Sequence, residues 1–236
     1  MNSIIVMIKR RKKILKYKDL EEIKAGENGE PLVLLNKLCP NIVCRYKKKD
    51  MIEYIGNVIM VRQGLALRLG RANSKLNKIL PGARLKVVYG YRHPAVQQKY
   101  FDRVINKLLK IKKGMSPEKL ISTAHNLVAS PDVAGHITGG AIDLTIEYNG
   151  REVDMGTKIA DFSNPEKIKT NSRLITKSQR YNRTLLHDLL TEQGLAPFYG
   201  EWWHFSYGDK EWAKFYGKLK SKYSSIDNAE RQAKRI

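Results

Sequence analysis

Apolar residues recur at helical spacing from Leu65 through Leu67, Leu69, Ala72 and Leu76 to Ile79, which predicts a helix interrupted by Gly70. Pro81 and Gly82 then break the chain, and the short β-rich run Leu85–Tyr91 reads as a buried strand. Pro94 suits the first turn of a helix that carries Val96, Tyr100, Phe101, Val104, Ile105, Leu108 and Leu109. Ser116 as cap and Pro117 as first helical residue signal another helix, leading into Lys119–Val128. Alternation and β-branching over Ala141–Tyr148 predict a second strand. Leu185, Leu186, Leu189 and Leu190 mark the inner face of a helix over Gln179–Gln193, stopped by Gly194. The aromatic-dense run Phe198–Tyr207 reads as a further strand. Strands interleaved with helices at irregular intervals favour a single α+β domain over a repeated βαβ series.

Composition agrees with a packed core. The 236 residues are 42% hydrophobic and 28% charged, which excludes collagen-like, coiled-coil and disordered chains. Charge adds a question. Lys and Arg number 44 against 23 Asp and Glu, a formal charge of +21, which raises nucleic acid, an anionic membrane or a wall polymer as partners. Seven of the ten residues Lys9–Lys18 are Lys or Arg, and the chain is again Lys-rich from Lys210 onward. Without an aromatic-basic recognition motif, no specific nucleic-acid partner is expected. Between Asp132 and Asp161 the balance reverses, with six acids against Arg151 and Lys158. The chain therefore divides into a basic arm and lead-in over 1–50, a core over 51–208 and a basic tail over 209–236. The apolar stretch Ile4–Ile8 is followed by Lys9–Lys13, the reverse of the secretory order, and no run approaches the ~18 apolar residues of a membrane span. A cytoplasmic protein without a transmembrane segment is expected. Cys39 and Cys44 are a single pair, expected to be reduced or structurally incidental.

Candidate chemistry gathers at two places. His136 precedes Gly139 and Gly140, whose conformational freedom lets a turn fold the imidazole back over the strand that carries Asp143. His204 ends Glu201-Trp202-Trp203-His204, among aromatic bulk that can exclude water. Two imidazoles and a carboxylate are a common catalytic zinc set with a fourth position left for water. Glu201 is a candidate general base. In a flat strand, however, residues i and i+3 face opposite sides, so Glu201 and His204 can share a site only across a bulge or bend. His125 and His187 fall within predicted helices, where surface or interhelical hydrogen bonding is expected.

The joint pattern of His136, Gly139, Ala141 and Asp143, followed by Glu201 and His204, resembles the zinc D-Ala-D-Ala peptidases. The wording Ala-Ile-Asp-Leu-Thr at 141–145, Asp-Met-Gly-Thr at 154–157 and Glu-Trp-Trp-His at 201–204 is similar to the vancomycin-resistance-type dipeptidase branch, and the resemblance covers about Tyr54 to Tyr207. It implies a mostly antiparallel central sheet flanked by helices, the hedgehog or D,D-peptidase-like fold. It also implies one zinc ion per chain held by His136, Asp143 and His204, with Glu201 as general base and Arg92 stabilising the oxyanion. Asp154 is implied in recognising the substrate ammonium, and the substrate is D-Ala-D-Ala or a related small peptide. A D,D-carboxypeptidase or peptidoglycan endopeptidase is the alternative within the same chemistry. Two positions depart from the family pattern. Ala134 replaces a serine two residues before the first zinc histidine, and His93 is inserted between Arg92 and Pro94. Discrimination among small dipeptides rests on such individual hydrogen bonds. Thr138 is a candidate to supply the lost hydroxyl.

Overall fold

A computed structural model describes residues 13–46, 48–111 and 114–227. In chain order the elements are α1 (Tyr17–Glu21), β1 (Leu32–Leu34), α2 (Leu35–Leu38), β2 (Val43–Cys44), α3 (Ile52–Ile55), β3 (Met60–Arg62) and α4 (Gln63–Ile79). There follow β4 (Arg84–Tyr89), α5 (Pro94–Ile111), α6 (Pro117–His125), a 3-10 turn at His136–Thr138, β5 (Ala141–Tyr148), β6 (Arg151–Glu152) and α7 (Pro165–Ile168). The remainder is α8 (Lys177–Glu192), β7 (Ala196–Pro197), β8 (His204–Ser206) and α9 (Lys210–Phe215).

The main sheet runs β2-β4-β5-β8-β7, with β6 also paired to β5. Only β2 and β4 are parallel; the other pairings are antiparallel, as in the expected α+β fold. Strand alternation assigns the two faces of β5. Ile142, Leu144 and Ile146 join the large core with Leu65, Leu69, Leu76, Leu186 and Leu190 of α4 and α8. Asp143, Thr145 and Glu147 point the other way. There Glu147 pairs with Arg84 at 2.8 Å and Lys86 at 3.4 Å, while Asp143 opens into the site. In α4, Leu65, Ala66, Leu69, Ala72, Asn73 and Leu76 are buried at i, i+3 and i+4 spacing, the pattern that predicts this helix. Buried Asn73 is not wasted on that face, since its Oδ1 accepts from the Leu85 N–H at 2.7 Å and fixes the start of β4.

A second, two-stranded sheet of β1 and β3 braces the site from the side. The Arg62 N–H donates to the Gly139 carbonyl at 2.8 Å, and its buried guanidinium donates to the Thr138 carbonyl and to Glu27. The described parts of the expected basic arm and tail pack into this same body. Leu20, Leu32, Leu35 and Ile42 are buried, as are Trp212, Ala213 and Tyr223. Residues 1–12 and 228–236, which hold the most basic part of the arm and the end of the tail, lie outside the described residues.

Phe198–Tyr207 is not one strand. It is the loop and second arm of a hairpin in which β7 pairs with β8, turning through residues 199–203. Backbone bonds from Glu201 N–H to Phe198 O and from Trp202 N–H to Ile168 O hold that loop. The aromatic density belongs to a buried loop, whose Trp202 and Trp203 pack into the main core. Among the described residues, no helix is long and apolar enough to cross a membrane.

Candidate metal centre and substrate cavity

Asp143 and His204 are directly opposed partners on β5 and β8. Opposed residues of an antiparallel pair present their side chains on the same face, so sheet register alone brings these two together. His204 Nδ1 lies 3.0 Å from Asp143 Oδ1. His136 arrives from the 3-10 turn, which closes at Gly139 with φ of 71°, in the left-handed region that favours glycine. A Cβ there would also fall 2.3 Å from Leu32 Cδ2. The turn sets His136 Nε2 3.5 Å from Asp143 Oδ1. Its Nδ1 bonds the Gly90 carbonyl at 2.8 Å, and the Arg92 N–H donates to the His136 carbonyl at 3.0 Å. The exit of β4 thus fixes ring and backbone together.

The three donor atoms all lie within 4.8 Å of one another. Zinc bonds of about 2.0–2.2 Å would set donor separations near 3.3–3.6 Å; the 3.5 Å from His136 to Asp143 matches, and the 3.0 Å from His204 to Asp143 falls short by a few tenths of an ångström. Ring tautomers agree. His136 donates to Gly90 through Nδ1, which leaves the Nε2 lone pair facing inward. His204 presents Nδ1 inward while its Nε2 stands 3.3 Å from Glu211 Oε2. A carboxylate behind a ligating imidazole orients it and strengthens it as a donor.

The electrostatics fit a cation at this point. Burial alone would raise Asp143, yet the His136 and His204 imidazoles hold it well below the usual carboxylate range. Burial, aided by the nearby positive charge of Arg92 and by His204, lowers His136. His204 is raised well above an ordinary histidine, because Glu211 and Asp143 together outweigh its burial. The proton it would otherwise hold occupies the position a metal ion takes.

Glu201 lines the same cavity, its side of the hairpin loop folded back by the bend that the i, i+3 spacing requires. Burial pushes it up to about 7, with Asp143 and Glu211 adding to the rise. Arg92, the expected oxyanion partner, also lines the cavity and sits over the Tyr89 and Tyr100 rings at 4.6 and 5.3 Å. One guanidinium nitrogen donates to Gln97 Oε1 at 2.6 Å, while its buried Nε–H has no partner. Lys48 adds a second cation to the wall, 4.9 Å from the Tyr100 ring. The cavity is about 200 Å³, lined also by Asn126–Ala129, Phe162, Phe198 and Trp203.

Several residues fall elsewhere than expected. Asp154 is not brought to the cavity; its carboxylate accepts from Gly156 N–H and Gln179 Nε2, both at 2.8 Å, as a turn-forming aspartate. Thr138 cannot replace the serine lost at Ala134, because its hydroxyl donates to Gly135 O and accepts from Gly140 N–H within the turn. The inserted His93 is stacked on Tyr54 at 4.1 Å and accepts the Ala95 N–H, capping α5 outside the cavity. His125, expected at a surface or between helices, is part of the cavity wall, whereas His187 is partly buried, stacked on Tyr199 and beside Asp188. Cys39 and Cys44 are both free thiols. Glu211 was not singled out by the sequence; the only trace is an acid in the first turn after Asp209, which caps α9 through the Trp212 N–H.

A cavity of this kind, with two imidazoles and a carboxylate converging beside a glutamate poised near neutrality, equips a protein to split a bond with water; its class is metallohydrolase. The chain belongs to the D-ala-D-ala dipeptidase family of peptidases, peptidase M15, whose pattern matches residues 43–225, and it is a zinc metallopeptidase. A D-alanyl-D-alanine dipeptidase from Synechocystis sp. is 28% identical over 189 residues, 71% of this chain and 76% of that protein. Solved structures resemble it more loosely. The LdcB LD-carboxypeptidase aligns with a TM-score of 0.47 and 19% identity over 82% of this chain and 80% of its own. A zinc complex of the vancomycin-resistance D,D-pentapeptidase VanY aligns with a TM-score of 0.39 and 18% identity over 69% and 81%.

Proposed function

We propose that the protein hydrolyses D-Ala-D-Ala or a related small dipeptide, with zinc held by His136, Asp143 and His204 and Glu201 as general base. The observation that carries this reading is the convergence of the three donor atoms within 4.8 Å in a cavity that Glu201 and Arg92 also line. Zinc in that position supplies Lewis acidity, polarising the scissile carbonyl and lowering the pKa of water to roughly 7. Glu201 accepts the proton of the attacking water and returns it to the leaving amine. Its position near neutrality suits both halves of that transfer. Arg92, on the cavity wall, brings its charge to the oxygen on which negative charge develops, an effect in the range of about 3 to 4 kcal/mol for one well-placed donor. Lys48, with Arg92, provides positive charge for a free substrate carboxylate.

The cavity volume favours a dipeptide over a longer acyl-peptide. At about 200 Å³ it is smaller than the ~300–1,000 Å³ of sites for drug-sized ligands. The test is hydrolysis of L,L, L,D and D,D dipeptides by the zinc-loaded protein, beside N-acylated peptides of the same sequence. D,D turnover that requires a free amine is expected; preference for the acylated peptide would make the protein a D,D-carboxypeptidase instead. Glu201→Ala should keep its zinc and lose turnover by about 10²-fold or more. Full activity in that variant would remove Glu201 from the mechanism.

A further inference from the structure

Ile14 and Leu15 line the same cavity as Glu201, Arg92 and the three metal-binding side chains. They lie well before residue 43, where the family match begins. This stretch of wall therefore lies outside the region that the family pattern matches. Ile14 is 36% exposed and Leu15 partly buried, and their neighbours anchor the segment. Two residues on, the Tyr17 hydroxyl donates to Asp132 Oδ2 at 3.0 Å, and its ring packs edge-on against His125 at 5.5 Å. Lys13 pairs with Asp19 at 2.6 Å, Leu20 is buried, and Glu22 pairs with Lys214 of α9 at 3.1 Å. The contacts reach α6, the loop before the His136 turn, and α9, so three separate parts of the fold hold the segment.

Both side chains are hydrocarbon. They offer no hydrogen-bonding side-chain group to a substrate, in contrast to the charged groups at the metal end. A peptide that continued past a dipeptide toward this wall would meet hydrocarbon, and its next amide N–H and C=O would find no side-chain partner on Ile14 or Leu15. A dipeptide ends before that point.

We infer that Ile14 and Leu15 are specificity-determining residues that close the cavity to peptides longer than a dipeptide. The inference rests on the proposed dipeptide hydrolysis and names what restricts it. Its test compares kcat/KM for D-Ala-D-Ala and for L-Ala-D-Ala-D-Ala, using the zinc-loaded full chain and two variants. Ile14→Gly/Leu15→Gly removes the hydrocarbon wall. Tyr17→Phe keeps the ring against His125 and removes only the hydroxyl that anchors the segment to Asp132. The tripeptide-to-dipeptide ratio should rise by roughly tenfold or more in the double variant and by a smaller factor in Tyr17→Phe. If the double variant does not fold, the Tyr17→Phe ratio alone decides. Dipeptide hydrolysis with an unchanged ratio in the variants overturns this inference and leaves the proposed function standing, as does equal use of both peptides by the unmodified chain. No hydrolysis of either peptide by any of the proteins overturns both.

Discussion

Glu211 illustrates how a residue outside the three converging donors bears on one of them. Its carboxylate stands behind the His204 ring at 3.3 Å and so sets which nitrogen faces inward. Glu211→Gln is expected to weaken zinc affinity by about 10- to 100-fold, read by competition with a chromophoric chelator. An affinity equal to that of the unmodified protein would mean the ring is held by sheet register alone. Glu201 makes a separate prediction about the metal-free protein. Burial raises its carboxyl from 4.5 to about 7. A raised group contributes stability that is fully present below its unfolded value and lost as pH rises through its folded value. Metal-free protein at about pH 8 therefore carries a penalty of up to about 3 kcal/mol that is absent near pH 4. Glu201→Gln removes that penalty, so urea midpoints of variant and unmodified protein should separate in favour of the variant as pH rises from about 5 to 8. Midpoints that keep a constant separation would sink this account. His136, Asp143 and His204, the three residues whose donor atoms converge, were legible in the sequence because their types and spacing are themselves the signal. Glu211 was not, since nothing in Lys210-Glu211-Trp212 states that a helix start will fall behind a histidine seven residues earlier. Asp154 misled for the opposite reason: a carboxylate near a site reads alike whether it meets substrate or closes a turn.

At the scale of elements, periodicity located the long helices well. The apolar spacing from Leu65 to Ile79 became α4, Pro94 opens α5 as expected, and Ala141–Tyr148 is β5 with the same bounds. These elements obey local rules that survive packing. The hairpin of β7 and β8 does not, because aromatic density cannot distinguish a strand from a loop whose side chains are buried by neighbouring elements. The parity conflict between Glu201 and His204 was nevertheless a legible warning, and the turn before β8 is its resolution. His93 is likewise an elemental matter. It caps α5 and stacks on Tyr54, so His93→Ala should cost roughly 1 kcal/mol of stability, measured by denaturant titration, while leaving zinc affinity intact. A loss of zinc without a loss of stability would place His93 in the site after all.

For the whole molecule, the positive charge first suggested an anionic partner, yet its distribution isolates an acidic centre within a basic body. Asp143, Glu201 and Glu211 all face the cavity. Zinc binding should stabilise the fold by mass action, about 2.7 kcal/mol at a free concentration 100 times Kd. For a chain of this size that corresponds to a fall of roughly 5–10 °C in Tm on chelation, measurable by calorimetry. A Tm indifferent to chelation would argue against a preformed centre. The pairing of Asp143 with His204 has one more consequence. These residues are 61 positions apart, and β8 is three residues long, a strand short enough to fray. An ion held by both would act as a pin through the ladder: slipping β8 by one residue would turn His204 to the opposite face and break the coordination. Amide hydrogens of His204–Ser206 should then exchange by local opening in the metal-free protein and only through global unfolding in the loaded one. The short strand would thus take its mechanical permanence from the chemistry it supports.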